Sequence, residues 1–192
     1  MNRVFSLAVA AAVLSLATVG FAAGVDVGEK APEFKDLPTA DGKKLSMSDL
    51  SDSKAIVVCF TCNNCPVAVA YQDRFIDFAK QYKDKGVSFV AINVNRTEDL
   101  QKMKTRAEEA GFNFPYAFDA SQTTAKEYGA TVTPHLYVLD KNREVVYIGS
   151  FDDAQNNPKE HFVKEVVDSV LADKKPEVQG KKAFGCGIQW KR

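Results

Sequence analysis

The 192-residue chain has no surplus of charge: Lys and Arg together number 25, and so do Asp and Glu. That balance argues against a nucleic-acid partner, because neutralising phosphates takes a basic excess on one face. It has no internal repeat and no low-complexity stretch, which excludes a repeat architecture. Beyond the first two dozen residues no apolar run is long enough to span a bilayer, which takes about 20 residues. Cysteine is sparse, with four residues, and three of them (Cys59, Cys62 and Cys65) fall within seven positions. Such crowding is a poor way to staple a fold and points instead to chemistry.

The chain opens with Arg3, an almost wholly apolar run from Val4 to about Val19, and the small residues around Gly20-Phe21-Ala22. This is the three-part plan of a secretory signal covering residues 1–22. The competing reading, an uncleaved anchor, needs roughly 18 to 20 apolar residues, and this run is at the lower limit. No cysteine stands at the cleavage point, which argues against a lipid anchor there. Removal of the signal leaves about 170 residues, enough for one domain with its own core. The expected location is periplasmic or secreted, with no membrane insertion after cleavage.

Residues 23–44 are turn-rich and read as an N-terminal extension of the domain, which spans 45–173. Ala55 to Phe60 is a continuous β-branched run, the pattern of a strand buried on both faces. From Val67 to Tyr82 the apolar residues recur at three- and four-residue steps, predicting one amphipathic helix opened by Pro66 and closed by Gly86. A second strand follows over 87–94. Next comes a helix over about 97–110, capped by Thr97 or Asn95. A short strand at 116–118 and a small helix over 121–128 lead to a hairpin of 135–139 with 144–148. The last helix covers about 158–172. Residues 174–192 form a Lys-rich tail ending in Gly185-Cys186-Gly187-Ile188-Gln189-Trp190. Strand–helix–strand units give parallel pairing and the hairpin adds an antiparallel edge. The fold class is α/β, with a central mixed sheet flanked by helices on both faces.

Cys62-Asn63-Asn64-Cys65-Pro66 lies between the buried strand and the start of the helix. A helix N-terminus offers free N–H groups and partial positive charge, which would favour a thiolate at Cys62. Cys62 is the expected nucleophile, at the exposed end. Cys65, one turn into the helix and more buried, would resolve the mixed disulfide.

In this pair the chain resembles the thioredoxin superfamily, specifically its exported redoxin-type members (AhpC/TSA-like, TlpA/ResA-like). Val90-Ala91-Ile92-Asn93, Tyr128 to Pro134, Tyr137 to Asp140, Gly149 with Asp152-Asp153, and the closing Gly185 to Trp190 segment match as well. The resemblance implies a thioredoxin-like fold over roughly 27–192, with Pro134 cis beside the cysteines. It also implies that Thr133 offers backbone groups to an incoming peptide. A buried acid that such reductases often place on the strand before the pair is missing here, where Ile56, Val57 and Val58 stand, or is supplied from elsewhere. The implied activity is thiol–disulfide exchange on protein disulfides, fed by a membrane electron donor. No cofactor is needed, since the pair itself holds both electrons.

Two alternatives use the same residues. A copper-binding redox or chaperone protein would take Cys62, Cys65 and His135 as ligands. A peroxiredoxin-like peroxidase would need Thr or Ser three positions before its reactive cysteine, where this chain has Cys59 or Cys62. Cys59 and Cys186 are candidate accessory redox residues: Cys186 can be an inert thiol, a partner of Cys59, or a third thiol at the Cys62/Cys65 site, and Trp190 an apolar anchor for the tail. Asp152 and Asp153 read as a solvated turn or a cap for the last helix, and His161 as solvated.

Overall fold

The computed structural model describes residues 24–191; the signal expected over 1–22 lies outside them. The elements in chain order are β1 (Leu37–Pro38), β2 (Lys44–Leu45), a 3-10 turn (Met47–Leu50), β3 (Ala55–Thr61), α1 (Pro66–Ala70), α2 (Gln72–Lys83), β4 (Val87–Asn93) and α3 (Leu100–Ala110). They continue with β5 (Tyr116–Phe118), α4 (Thr123–Tyr128), β6 (Val132–Thr133), β7 (His135–Leu139), β8 (Val145–Gly149), α5 (Phe162–Leu171) and β9 (Cys186–Gly187). The central sheet has five strands in the order β5-β4-β3-β7-β8. β3, β4 and β5 run parallel, whereas β7 and β8 are antiparallel additions.

Strand periodicity of two divides the core cleanly. Val57 and Cys59 of β3, Phe89 and Ala91 of β4, and Leu136 and Val138 of β7 face one side, beneath Phe75 and Phe78 of α2, Met103 of α3 and Val163, Val166 and Val167 of α5. Ile56, Val58 and Phe60, with Val90, Ile92, Tyr137 and Leu139, face the other, against Phe34, Leu45, Met47 and the α4 residues Ala125 and Tyr128. The sheet is thus covered on both faces, as the α/β pattern requires.

Two boundaries and one burial differ from the sequence expectation. The helix after the pair is broken at Tyr71, which caps both α1 and α2; the apolar period runs through the break, so it left no mark in the sequence. α3 is capped by Asp99, whose side chain accepts the Lys102 N–H at 2.9 Å; Asn95 instead closes a turn onto Thr97. Asp152 is not solvated. It is fully buried, paired with Arg74 and hydrogen-bonded by the Tyr71 hydroxyl. Arg74 also donates to the carbonyls of Ala154 and Gln155 and lies 3.9 Å from the Tyr71 ring centroid, so the loop after β8 is tied to the α1–α2 junction. Asp153 closes its own loop by accepting the N–H groups of Lys159 and Glu160.

Candidate active site: a dithiol under the C-terminal strand

β3 ends at Thr61, and Cys62 to Cys65 follow at the C-terminal edge of the parallel strands, where open α/β sheets characteristically place their sites. The helix does not begin at Cys62. Pro66 occupies its first position, and a residue preceding proline is kept out of the helical region, so Cys65 is extended (φ −81°, ψ 115°) and serves as the N-cap. Its Sγ accepts the Ala68 N–H at 3.4 Å. The helix terminus therefore acts on Cys65, and the expectation that it would act on Cys62, with Cys65 a turn further in, is corrected.

Both sulfurs are free thiols and pack on each other. Cys62 is 6% exposed and Cys65 1%; Cys62 is the more accessible but is not at an open surface. They line a cavity of about 160 Å³ with Asn64, Val94, Asn95, Thr133 and tail residues 186–189. The Cys62 thiol hydrogen-bonds to Cys65 and pulls it down to about 4, helped by donation from Cys186 and Ala68. The same bond, with burial and the nearby Glu98 carboxylate, pushes Cys62 well up. The pair thus favours negative charge on Cys65 and keeps the proton on Cys62. Thr133 touches both: its hydroxyl is 3.4 Å from Cys62 Sγ, and its carbonyl accepts from the Cys65 thiol at 2.9 Å. That carbonyl opposes negative charge on Cys65 while the helix N–H favours it. The Thr133–Pro134 peptide is cis.

A buried acid does stand near the pair, in the loop after β4, though beside Cys62 rather than Cys65, and the sequence analysis did not single it out. Glu98 is buried, and its carboxylate accepts the N–H of Asn63 at 2.9 and 3.2 Å, the N–H of Asn64 at 3.2 Å and the amide of Asn93 at 2.6 Å. Asn93 also donates to the Tyr116 hydroxyl, which in turn donates to Asn63 Oδ1 at 2.6 Å. Burial first, then the charge of Glu98, pushes the Tyr116 phenol well up, so it stays a donor. The Asn63 and Asn64 N–H groups, which would otherwise face a Cys62 thiolate, are thus taken by a carboxylate. The one available signal was position: an acid just past the C-terminal end of a parallel strand.

The other expected residues separate. Cys59 is fully buried on the helix-covered face of β3, where desolvation pushes its thiol well up. It is a free thiol and does not line the cavity that Cys62, Cys65 and Cys186 share. His135 is buried, its Nδ1 accepts from the Thr131 N–H, and its ring lies 4.9 Å from that of Tyr137. Among the described residues no three His, Cys, Asp or Glu side chains are grouped to hold a metal, so the copper set of Cys62, Cys65 and His135 is not assembled. Cys186, by contrast, reaches the pair: β9 lies antiparallel on β6 with Cys186 opposite Thr133, and its side chain packs against the Cys62/Cys65 cluster. The β6 edge expected to be open to a peptide is therefore occupied by the chain's own tail. Trp190 is no anchor, being 36% exposed; the tail is held by Gln122, which donates to the Gln189 carbonyl and accepts from the Lys191 N–H. A larger cavity of about 630 Å³, lined by Val27, Lys54, Lys141 and Val170 among others, contains no cysteine or histidine and lies at the far end of the sheet.

A mixed five-stranded sheet with a Cys-x-x-Cys at the mouth of β3 and a cis-proline beside it defines a thioredoxin-fold protein with a dithiol site. Residues 27–148 match the model of the AhpC/TSA family, and the chain belongs to that family of thioredoxin-like redox enzymes. It is similar to the thiol-disulfide oxidoreductase ResA of Bacillus thuringiensis (strain Al Hakam), with 28% identity over 125 residues, or 64% of this chain and 68% of the relative. It is also similar to a Coxiella burnetii protein whose name, bcp, is given as a peroxiredoxin, with 30% identity over 121 residues, 62% of this chain and 72% of the relative. A solved structure of a hypothetical protein from Sinorhizobium meliloti 1021 superposes with a TM-score of 0.81 at 35% identity, covering 88% of this chain and 96% of that one. Among the described residues no helix is long and apolar enough to cross a membrane.

Proposed function

We propose that the protein exchanges thiols and disulfides with protein substrates outside the cytoplasm through Cys62 and Cys65. The reading rests on one observation above all: two free, mutually hydrogen-bonded thiols that share a cavity, with Thr133 in contact with both. Cys62, the more accessible sulfur, attacks one sulfur of a substrate disulfide, and the substrate's other sulfur leaves as a thiolate. The proton that Cys62 gives up moves to Cys65, whose S–H the Thr133 carbonyl is placed to accept. Cys65 then loses that proton and attacks Cys62 Sγ, which releases the second substrate thiol and closes the Cys62–Cys65 disulfide. Two electrons pass to the substrate at each cycle, no cofactor takes part, and a membrane electron donor restores the dithiol. Thr133 and Pro134 meet the substrate once the tail strand, which pairs Cys186 with Thr133, leaves the β6 edge. The N-terminal signal pattern supports the location, and the ResA relative supports the reaction class.

Insulin reduction in the presence of dithiothreitol tests the reading. The wild type should accelerate precipitation of the insulin B chain, and Cys62→Ser should fall to the uncatalysed rate. Equal rates for the two proteins would remove the proposal. Hydrogen peroxide serves as the contrasting substrate: consumption much faster than that of insulin disulfides would move the assignment to the peroxidase alternative.

A further inference from the structure

The exchange written above leaves Cys186 unused, although the fold goes to some length to bring it in. β9 is only two residues long, yet it is set in register by the Thr133–Cys186 pair and continued by the Ile188 N–H donating to the Thr131 carbonyl at 3.0 Å. Gly185 makes the close approach available. A Cβ there would lie 2.0 Å from the Thr133 carbonyl oxygen, so any other residue would hold the tail off. That same carbonyl is the one that accepts from Cys65. Gln122, fully buried, fastens the segment from the far side. The result is three thiols around one small cavity, with Cys186 against Cys65 and more exposed than either member of the pair.

We propose that Cys186 is a third redox thiol that takes over the disulfide by attacking Cys65, freeing Cys62 for another encounter. The inference rests on the Cys62/Cys65 reading above. In the step, the Cys186 thiolate attacks Cys65 Sγ of the Cys62–Cys65 disulfide; the Cys65–Cys186 bond forms, the Cys62–Cys65 bond breaks, and the electron pair leaves on Cys62. The proton lost by Cys186 passes to solvent or to Cys62. One disulfide replaces another, so no outside oxidant or reductant is consumed. The order of events is built in. In the reduced site Cys186 is pushed up to about 11, chiefly by its hydrogen bond to Cys65. Once Cys65 is in a disulfide it can no longer hold negative charge there, and Cys186 becomes easier to ionise.

Partial oxidation of the full chain with diamide, followed by an acid quench, N-ethylmaleimide labelling and disulfide mapping by mass spectrometry, tests this directly. In the oxidised wild type at least about a tenth of the molecules should carry the label on Cys62 together with a Cys65–Cys186 disulfide, placing the two disulfides within about tenfold of each other. Cys62→Ser should close a Cys65–Cys186 disulfide within the monomer. Oxidised wild type labelled at Cys186 and never at Cys62, or Cys62→Ser that keeps its thiols or cross-links only between molecules, would overturn the inference. Cys186→Ser reads the pair separately: a Cys62–Cys65 disulfide there, alongside failure in Cys62→Ser, retires the third thiol and leaves the pair standing. A Cys186→Ser protein that forms no disulfide retires the pair itself.

Discussion

At the residue scale the site is a contest over protons and charge. Glu98 holds the Asn63 and Asn64 N–H groups and places a negative charge near Cys62. Glu98→Gln removes that charge, so the thiolate of Cys62 is easier to form. The midpoint of iodoacetamide reactivity against pH should move down, while stability to urea falls by about 1–3 kcal/mol through weakened charge-assisted hydrogen bonds; an upward shift would contradict the assignment. His135 gives a second pH signature. Burial holds its imidazole down at about 4, below the ~6.5 of a solvated ring. Between those values the unfolded chain binds a proton that the folded chain refuses, so stability is lost as pH falls from about 6.5 to 4, by on the order of 3 kcal/mol over the window. His135→Gln should flatten that slope in urea titrations run across the range; an unchanged slope would show that another group is responsible. Apart from the position of Glu98 just past a parallel strand, neither residue's role was legible in the sequence. Glu98 sits in a polar run that reads as a helix cap, and nothing local says that its carboxylate turns inward.

The elements divide between those that patterns reveal and those that geometry decides. β3, β4 and β7 are mainly apolar runs buried on both faces, and they stand where the sequence indicates. The break at Tyr71 escapes notice because the residues on either side keep the helical period. The N-cap at Cys65 was within reach: proline at the next position already bars that cysteine from the helix. β6 and β9 are too short to leave any periodicity, so the tail's return onto Thr133 appears only in three dimensions. Its dependence on Gly185 can be tested. Gly185→Ala puts a methyl group into the Thr133 carbonyl and should lift the tail. Alkylation of Cys62 and Cys65 should then quicken several-fold at constant pH, whereas unchanged rates would mean that β9 does not shield the pair.

Across the whole molecule, the mixed sheet, its two covered faces and the place of the dithiol were foreseeable, because hydrophobic period and chain order determine them. The buried Arg74–Asp152 pair was not, since a charge pair beside a turn normally reads as solvated. It joins the loop after β8 to the helix that follows the cysteines. Asp152→Ala leaves the partly buried Arg74 with its two carbonyl partners alone and the Tyr71 hydroxyl without its acceptor, and should destabilise the fold by about 1.5–3 kcal/mol in urea unfolding; a loss below about 1 kcal/mol would show that the clamp is dispensable. Everything functional still turns on which sulfur meets the substrate first. Cys65→Ser/Cys186→Ser leaves Cys62 without a resolving partner, so incubation with insulin should accumulate a covalent, dithiothreitol-cleavable complex. Peptide mapping of that complex should place its disulfide at Cys62. A complex joined through Cys59, or no complex at all, would contradict the account.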